Sequence, residues 1–285
     1  RDEAVFAADG ALPGTCLPAA RFGVATVSMD NRRLACSAWV GDGTTADAPY
    51  GIFVLDLEAG TARQVTEDCC FHNAHLQYCR APEPEAAHDL LVQMNHGSRL
   101  AADGKTLVSL GPPADLGVDV HVIRDDGANW RDLPFGRDGQ ESCIGHQIWR
   151  GDGQSAVTVT LQNQDNSYGW ADGTAQEVVA GWPIPAAKDG PHLGRLTPGA
   201  RRTVLSAGFP KPRFCHLACD AGGRRFAFDT FPIYDGARAG MRIYLGSASD
   251  DAGPLRLAFV LNSGVAFNSK HPHMHAHPIL SPDGS

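Results

Sequence analysis

One unit repeats along this chain, and that repeat limits the fold more than any other feature. His146-Gln-Ile-Trp-Arg-Gly-Asp152-Gly153 leads into an apolar stretch at Ala156 and Val157. His216-Leu-Ala-Cys-Asp-Ala-Gly222-Gly223 leads into Phe226-Ala227-Phe228. His277-Pro-Ile-Leu-Ser-Pro-Asp283-Gly284 keeps the same spacing. Phe22 to Trp39 fits with Val24 in the histidine's place and Asp30-Asn31 as the turn. His75-Leu-Gln-Tyr78 fits with a longer turn before Asp89 to Gln93. Starts near 24, 75, 146, 216 and 277 lie 51, 71, 70 and 61 residues apart.

Between Asp-Gly turns lie short runs rich in Val, Ile, Phe and Thr, which are strand formers. They include Leu34 to Val40, Gly51 to Leu57, Leu90 to Met94, Val118 to Ile123, Ala156 to Leu161, Arg225 to Thr230, Met241 to Leu245 and Leu255 to Leu261. No apolar stripe of helical period and length accompanies them. The prediction is an all-β chain, and a repeated turn-strand unit predicts a β-propeller. A blade usually takes about 40–50 residues, so long loops are expected inside the repeats. The stretch Asn163 to Arg201 reads as one. A single propeller domain over 1–285 is expected. Ser285 falls inside the first turn of a fifth blade, so the propeller is expected to continue past it, and blades are expected ahead of residue 1.

Composition narrows the partners. A hydrophobic share of 43% is too high for a disordered chain. No apolar run approaches the ~20 residues of a membrane helix, so no membrane partner is expected. Lys and Arg number 24 against 32 Asp and Glu, a net charge of -8, with no basic cluster to meet a phosphate backbone. Nucleic acid is therefore excluded as a partner. Eight cysteines are few for a stapled scaffold of this length, and buried thiols are expected. Cys69, Cys70, His72, His75 and Cys79 are close in sequence, but at gaps matching no zinc pattern. Cys215-His216-x-x-Cys219 is equally ambiguous.

The histidines carry the chemistry. His75, His146, His216 and His277 share one position in the repeat, and in a propeller such positions converge on the central channel. Converging imidazoles form a metal or acid–base site, or they cap turns by common ancestry. His271, His273, His275 and His277 alternate with other residues, so an extended chain turns all four the same way. Such a face binds metal or forms a solvated edge. Imidazole alone does not choose among Zn, Mn, Fe, Cu and Ni.

These same residues resemble a family. Gly139-Gln-Glu141-Ser-Cys-Ile-Gly-His146-Gln-Ile-Trp149 resembles the Gly-Glu-Ser-Cys-Thr-His-Glu-Phe-Trp region of oligogalacturonate lyases. Val118 to Asp132 resembles their strand ending in Asn-x-Asp-Gly-Ser-Asn. His75-Leu-Gln-Tyr78 resembles their His-Pro-Gln-Tyr, and His275-Ala-His277-Pro-Ile-Leu-Ser-Pro-Asp-Gly their His-Pro-His-Pro segment. The matches run in order over about residues 70 to 285. The resemblance implies a seven-bladed propeller, of which this chain carries part, and a pectin-degrading polysaccharide lyase. It implies His146 as the base and His216, His275 and His277 as ligands of a divalent cation, with Mn expected ahead of Zn or Ca. The family's glutamine ligand falls at Pro272, which has no side-chain donor, and His273 is the candidate replacement. The family's arginine near the scissile sugar falls near Asp119, with His121 or Arg124 as substitutes. The glutamate after the base is Gln147 here. Such lyases act on imported oligosaccharides, which implies cytoplasm, ahead of periplasm.

The chemistry explains the residue types. β-Elimination takes the weakly acidic C5 proton of a uronate and expels the group at O4. A cation neutralises the adjacent carboxylate, and a neutral imidazole takes the proton. The expected partner is an acidic oligosaccharide of galacturonate or of rhamnose-linked glucuronate. His75, Tyr78 and Trp149 are candidate substrate contacts, and Trp170 a further stacking surface, with core packing as the other role for the aromatics. The competing function is a non-catalytic propeller that binds carbohydrate or protein. A glycosidase would want a carboxylate pair, for which only Glu141 and Asp119 are near.

Overall fold

The computed structural model describes residues 25–39, 48–68, 71–103, 106–110, 118–133, 141–152, 155–162, 173–179, 201–204, 214–230, 233–235, 238–247, 256–261 and 276–284. Strands account for nearly all of its regular structure, with one short 3₁₀ turn at Ala86–His88. No helix among the described residues is long and apolar enough to cross a membrane. The chain divides into two compact units. The first is Arg1–Pro134 with Gly181–Pro198, and the second is Phe135–Ala180 with Gly199–Ser285.

The first unit holds two antiparallel blades. β1 (Thr26–Val27), β2 (Arg33–Trp39), β3 (Tyr50–Asp56) and β4 (Thr61–Asp68) pair in chain order. β5 (Phe71–Tyr78) pairs with β6 (Asp89–His96). A hairpin of β7 (Ser98–Leu100) and β8 (Leu107–Ser109) follows, before β9 (Val118–Arg124) and β10 (Arg131–Asp132) complete the second blade. That hairpin and the Ala86–His88 turn account for the long repeat period here. β3 is buried at six consecutive positions, because both of its faces are covered. Ile52 and Val54 of the first blade share one core with Leu76, Leu90, Val92 and Ile123 of the second. Each such side chain, fully buried, stabilises the unit by about 1.5–3 kcal/mol. The polar Ser37 is tolerated there because its hydroxyl lies 2.8 Å from that of Tyr50.

The second unit repeats the plan. β11 (Glu141–Trp149), β12 (Ser155–Gln162), β13 (Gly173–Val179) and β14 (Arg201–Val204) form one sheet in chain order. β15 (Phe214–Cys219), β16 (Arg225–Thr230), β17 (Ile233–Asp235), β18 (Arg238–Ser247) and β19 (Arg256–Leu261) form the next. Val157 and Val159 meet Leu217, Phe226, Phe228 and Tyr244 in its core. The repeated turns hydrogen-bond in series. The Asp152 amide donates to the Ala221 carbonyl at 2.8 Å, and the Ala221 amide to the Pro282 carbonyl at 3.0 Å.

Three four-stranded antiparallel sheets and a five-stranded variant of the same sheet, in which β18 pairs with β16, β17 and β19, are the blades the repeat predicts. One expectation is corrected: Asn163 to Arg201 is not all loop, since β13 lies within it. Thr174, Gln176 and Glu177 break the apolar alternation, so the strand is defined by its pairing with β12 rather than by a hydrophobic pattern.

Candidate functional site

In β5, β11 and β15 the histidine of the repeat is the fourth residue from the strand's end. Each strand is irregular there. The register shifts between His72 and His75, between Cys143 and Gln147, and between Phe214 and Leu217. A bulge bends a strand and re-aims its side chains. Neighbours on a regular strand point to opposite faces. At the β15 bulge, Cys215 Sγ instead lies 3.9 Å from Nε2 of the adjacent His216.

Three of the predicted histidines meet in the second unit. The rings of His146 and His216 have centroids 4.1 Å apart, and those of His216 and His277 3.7 Å apart. Nδ1 of His146 lies 2.9 Å from the Cys215 carbonyl oxygen and 3.6 Å from Cys215 Sγ. The Thr158 hydroxyl donates to the His146 carbonyl at 2.9 Å, which ties the bulge to β12.

Asp229, at the end of β16, organises this cluster and is fully buried. It accepts the His216 amide at 2.6 Å, faces the His216 ring Nδ1 at 3.1 Å, and accepts the amides of Ala276 and His277 at 3.0 and 3.1 Å. Burial works to raise the Asp229 pKa, but the hydrogen bonds from His216 and His277 outweigh it and hold the carboxylate below its ordinary range. Burial, then the neighbouring His216, lowers the pKa of His277. His277 has φ 46°, a left-handed conformation that costs a non-glycine residue about 1–3 kcal/mol. Burial, then the negative charge of Asp229, pushes the Cys215 thiol up.

This donor set fits a metal ion. One ligand atom from each of His146, Cys215 and His216 lies within 4.8 Å of the other two. The carboxylate on His216 Nδ1 leaves Nε2 as the ring's lone pair, an arrangement common around metal-binding histidines.

His75, Tyr78, His121 and Arg124 belong to the first unit, and Trp149 to the second. His75 is half-buried and pairs with Gln93. His121 is fully buried and stacks on Trp130 at 3.6 Å. The Arg124 guanidinium pairs with the Glu85 carboxylate. Two expectations are corrected: Tyr78 and Trp149 are only 3% and 6% exposed, so neither offers a face to a sugar. Tyr78 sits in the apolar core with its hydroxyl 3.5 Å from Asp125. His273, His275, Trp170, Cys69 and Cys70 lie outside the described residues.

Sequence reasoning missed Asp229 and left Cys215 undecided. The one signal for Asp229 was a carboxylate inside the apolar run Phe226-Ala-Phe-Asp-Thr.

No family model matches the chain, and no curated protein matches it in sequence. Among solved structures it is similar to an oligogalacturonate lyase from Vibrio parahaemolyticus, at 13% identity and TM-score 0.58. The match covers 95% of this chain and 62% of the lyase, so the chain spans less than two thirds of that protein's length. A puromycin-hydrolyzing peptidase from Mycobacterium tuberculosis matches at 11% identity and TM-score 0.49, over 85% of this chain and 33% of the peptidase. The propeller domain of the Trilobed protease from Pyrococcus furiosus matches at 14% identity and TM-score 0.40, over 81% and 68%. At these identities the likeness to the lyase establishes the fold: the chain is a β-propeller.

Proposed function

We propose that this chain carries the site of a metal-assisted lyase that cleaves a 4-linked uronate oligosaccharide by β-elimination. The observation behind the reading is the tautomer of His146. A carbonyl oxygen only accepts, so the 2.9 Å contact with Cys215 puts the proton on Nδ1 and the lone pair on Nε2. In the neutral ring this leaves Nε2 as the atom that takes a proton. The C5–H bond breaks, and its proton goes to Nε2. The electron pair left on C5 forms the C4–C5 double bond, and the C4–O4 bond breaks. The departing oxygen takes a proton from water. A divalent cation, when bound, offsets the uronate carboxylate and makes the C5 proton more acidic. The reading assigns its binding to His216 and His277, with His273 and His275 as further candidates. Likeness in fold to an oligogalacturonate lyase supports the reading.

The test is the ultraviolet absorbance of the conjugated product, with oligogalacturonates and rhamnose-linked glucuronates, with and without EDTA. The reading expects a rise that EDTA abolishes. It expects His146→Ala to lower the rate by about 10²–10⁴-fold. A flat trace on every substrate with metal-loaded protein would overturn it. That result would favour a binding propeller without catalysis, a reading that draws on Pro272 and Asp119 standing where the resembling family has a metal ligand and an arginine.

A further inference from the structure

We infer that His146, Cys215 and His216 form a binding site for a thiophilic divalent cation of the zinc class, with Cys215 as a thiolate ligand. The inference stands on donor geometry and does not rest on the lyase reading. Cys215 Sγ lies 3.9 Å from His216 Nε2, and one donor atom from each of His146, Cys215 and His216 lies within 4.8 Å of the other two. Tetrahedral zinc, with bonds of about 2.0–2.3 Å, sets its donors about 3.3–3.8 Å apart. The Cys215–His216 spacing is therefore near that of a tetrahedral site.

Two further features mark the site as built. The β15 bulge turns two consecutive residues toward one point, which a regular strand does not do. Both imidazoles also have an acceptor beside Nδ1. His216 has the buried Asp229 at 3.1 Å, and His146 has the Cys215 carbonyl at 2.9 Å. Such outer partners fix the ring and direct the opposite nitrogen to a metal.

Sulfur decides the class of ion. Thiolate favours zinc and cobalt(II), whereas manganese, magnesium and calcium favour oxygen donors. The manganese implied by family resemblance fits this three-residue set less well. Binding converts the Cys215 thiol to a thiolate and releases its proton to solvent. A ring nitrogen that holds a cation cannot take a proton. If His146 is a lyase base, a zinc-class ion bound by all three residues inhibits it.

The experiment is a cobalt(II) titration of the chelator-treated full chain, read by absorbance without substrate. A thiolate-to-cobalt charge-transfer band in the near ultraviolet should saturate at one ion per chain, with intense visible bands of tetrahedral cobalt. Equimolar zinc should displace the cobalt, and about a tenfold excess of manganese should not. The band should vanish in Cys215→Ser and persist in Cys219→Ser. Absence of the band in wild type, its survival in C215S, or displacement by manganese would each overturn the inference. The wild-type titration decides the matter even if C215S does not fold. Lyase activity without the band would defeat this inference alone. The band, together with no activity in separate protein loaded with manganese and free of zinc and cobalt, would defeat the lyase reading alone.

Discussion

Asp229 holds His216 at two points: its Oδ1 accepts the backbone amide at 2.6 Å, and its Oδ2 faces the ring Nδ1 at 3.1 Å. The same Oδ2 accepts the amides of Ala276 and His277. One buried carboxylate therefore positions two imidazoles from separate stretches of chain. Asp229→Ala should weaken metal binding by about 10–100-fold, measured by calorimetric titration. Acid should act through the same group. Its folded pKa is depressed, so its stabilisation is full above the ordinary carboxylate value and is lost as pH falls through the lower folded one. Melting temperature should fall more steeply on acidification for wild type than for Asp229→Asn.

His277 should titrate below an ordinary histidine, observable in its imidazole proton resonances. Neutral imidazole is the form its site favours, so its contribution is full above the usual value of 6.5 and is lost as pH falls through the lower one. Its φ of 46° gives a second test. His277→Val should destabilise the chain by about 1–3 kcal/mol more than His277→Gly in urea unfolding, since a β-branched residue resists the left-handed region.

Gly151 allows two blade turns to meet. At φ 57°, an added Cβ would lie 2.2 Å from the Ala221 oxygen and 2.5 Å from the Gly223 nitrogen. Those contacts are backbone and cannot swing aside. Gly151→Ala should cost about 3 kcal/mol or more, read from the urea midpoint. Gly60→Ala, at φ 66° with nothing within 4 Å, should cost only about 1–2 kcal/mol.

Arg131 and Asp89 form a buried ion pair in the first unit, with side chains 1% and 3% exposed and 2.5 Å between Nη2 and Oδ2. Removing one partner strands a charge. Arg131→Leu alone should destabilise by about 3–5 kcal/mol, and adding Asp89→Leu should recover most of that loss. A double-mutant cycle in denaturant checks it. If the double variant is as unstable as the single, the packing and not the charge is what matters.

The sequence by itself determined the strands and the repeat. Short, largely apolar runs between turn residues put strands at Arg33–Trp39, Tyr50–Asp56 and Arg225–Thr230, within a residue of their predicted bounds. Asn31 and Gly223, both in predicted turns, have positive φ. The repeat also ranked His146 and His216 as equivalent, because the count back from a turn is fixed by the chain. These are local properties, set by side-chain shape and backbone sterics.

Only the tertiary structure decided which groups share a site. No periodicity announces a bulge, which depends on the length mismatch between paired strands. Without the β15 bulge, Cys215 and His216 would face opposite ways. Sequence offered Tyr78 and Trp149 both as sugar platforms and as core, with core favoured, and burial made them core. Asp229 is a carboxylate inside the apolar run Phe226-Ala-Phe-Asp-Thr. Its reason appears only where His216 and the amides of Ala276 and His277 converge on it, because a buried charge needs partners that folding alone supplies.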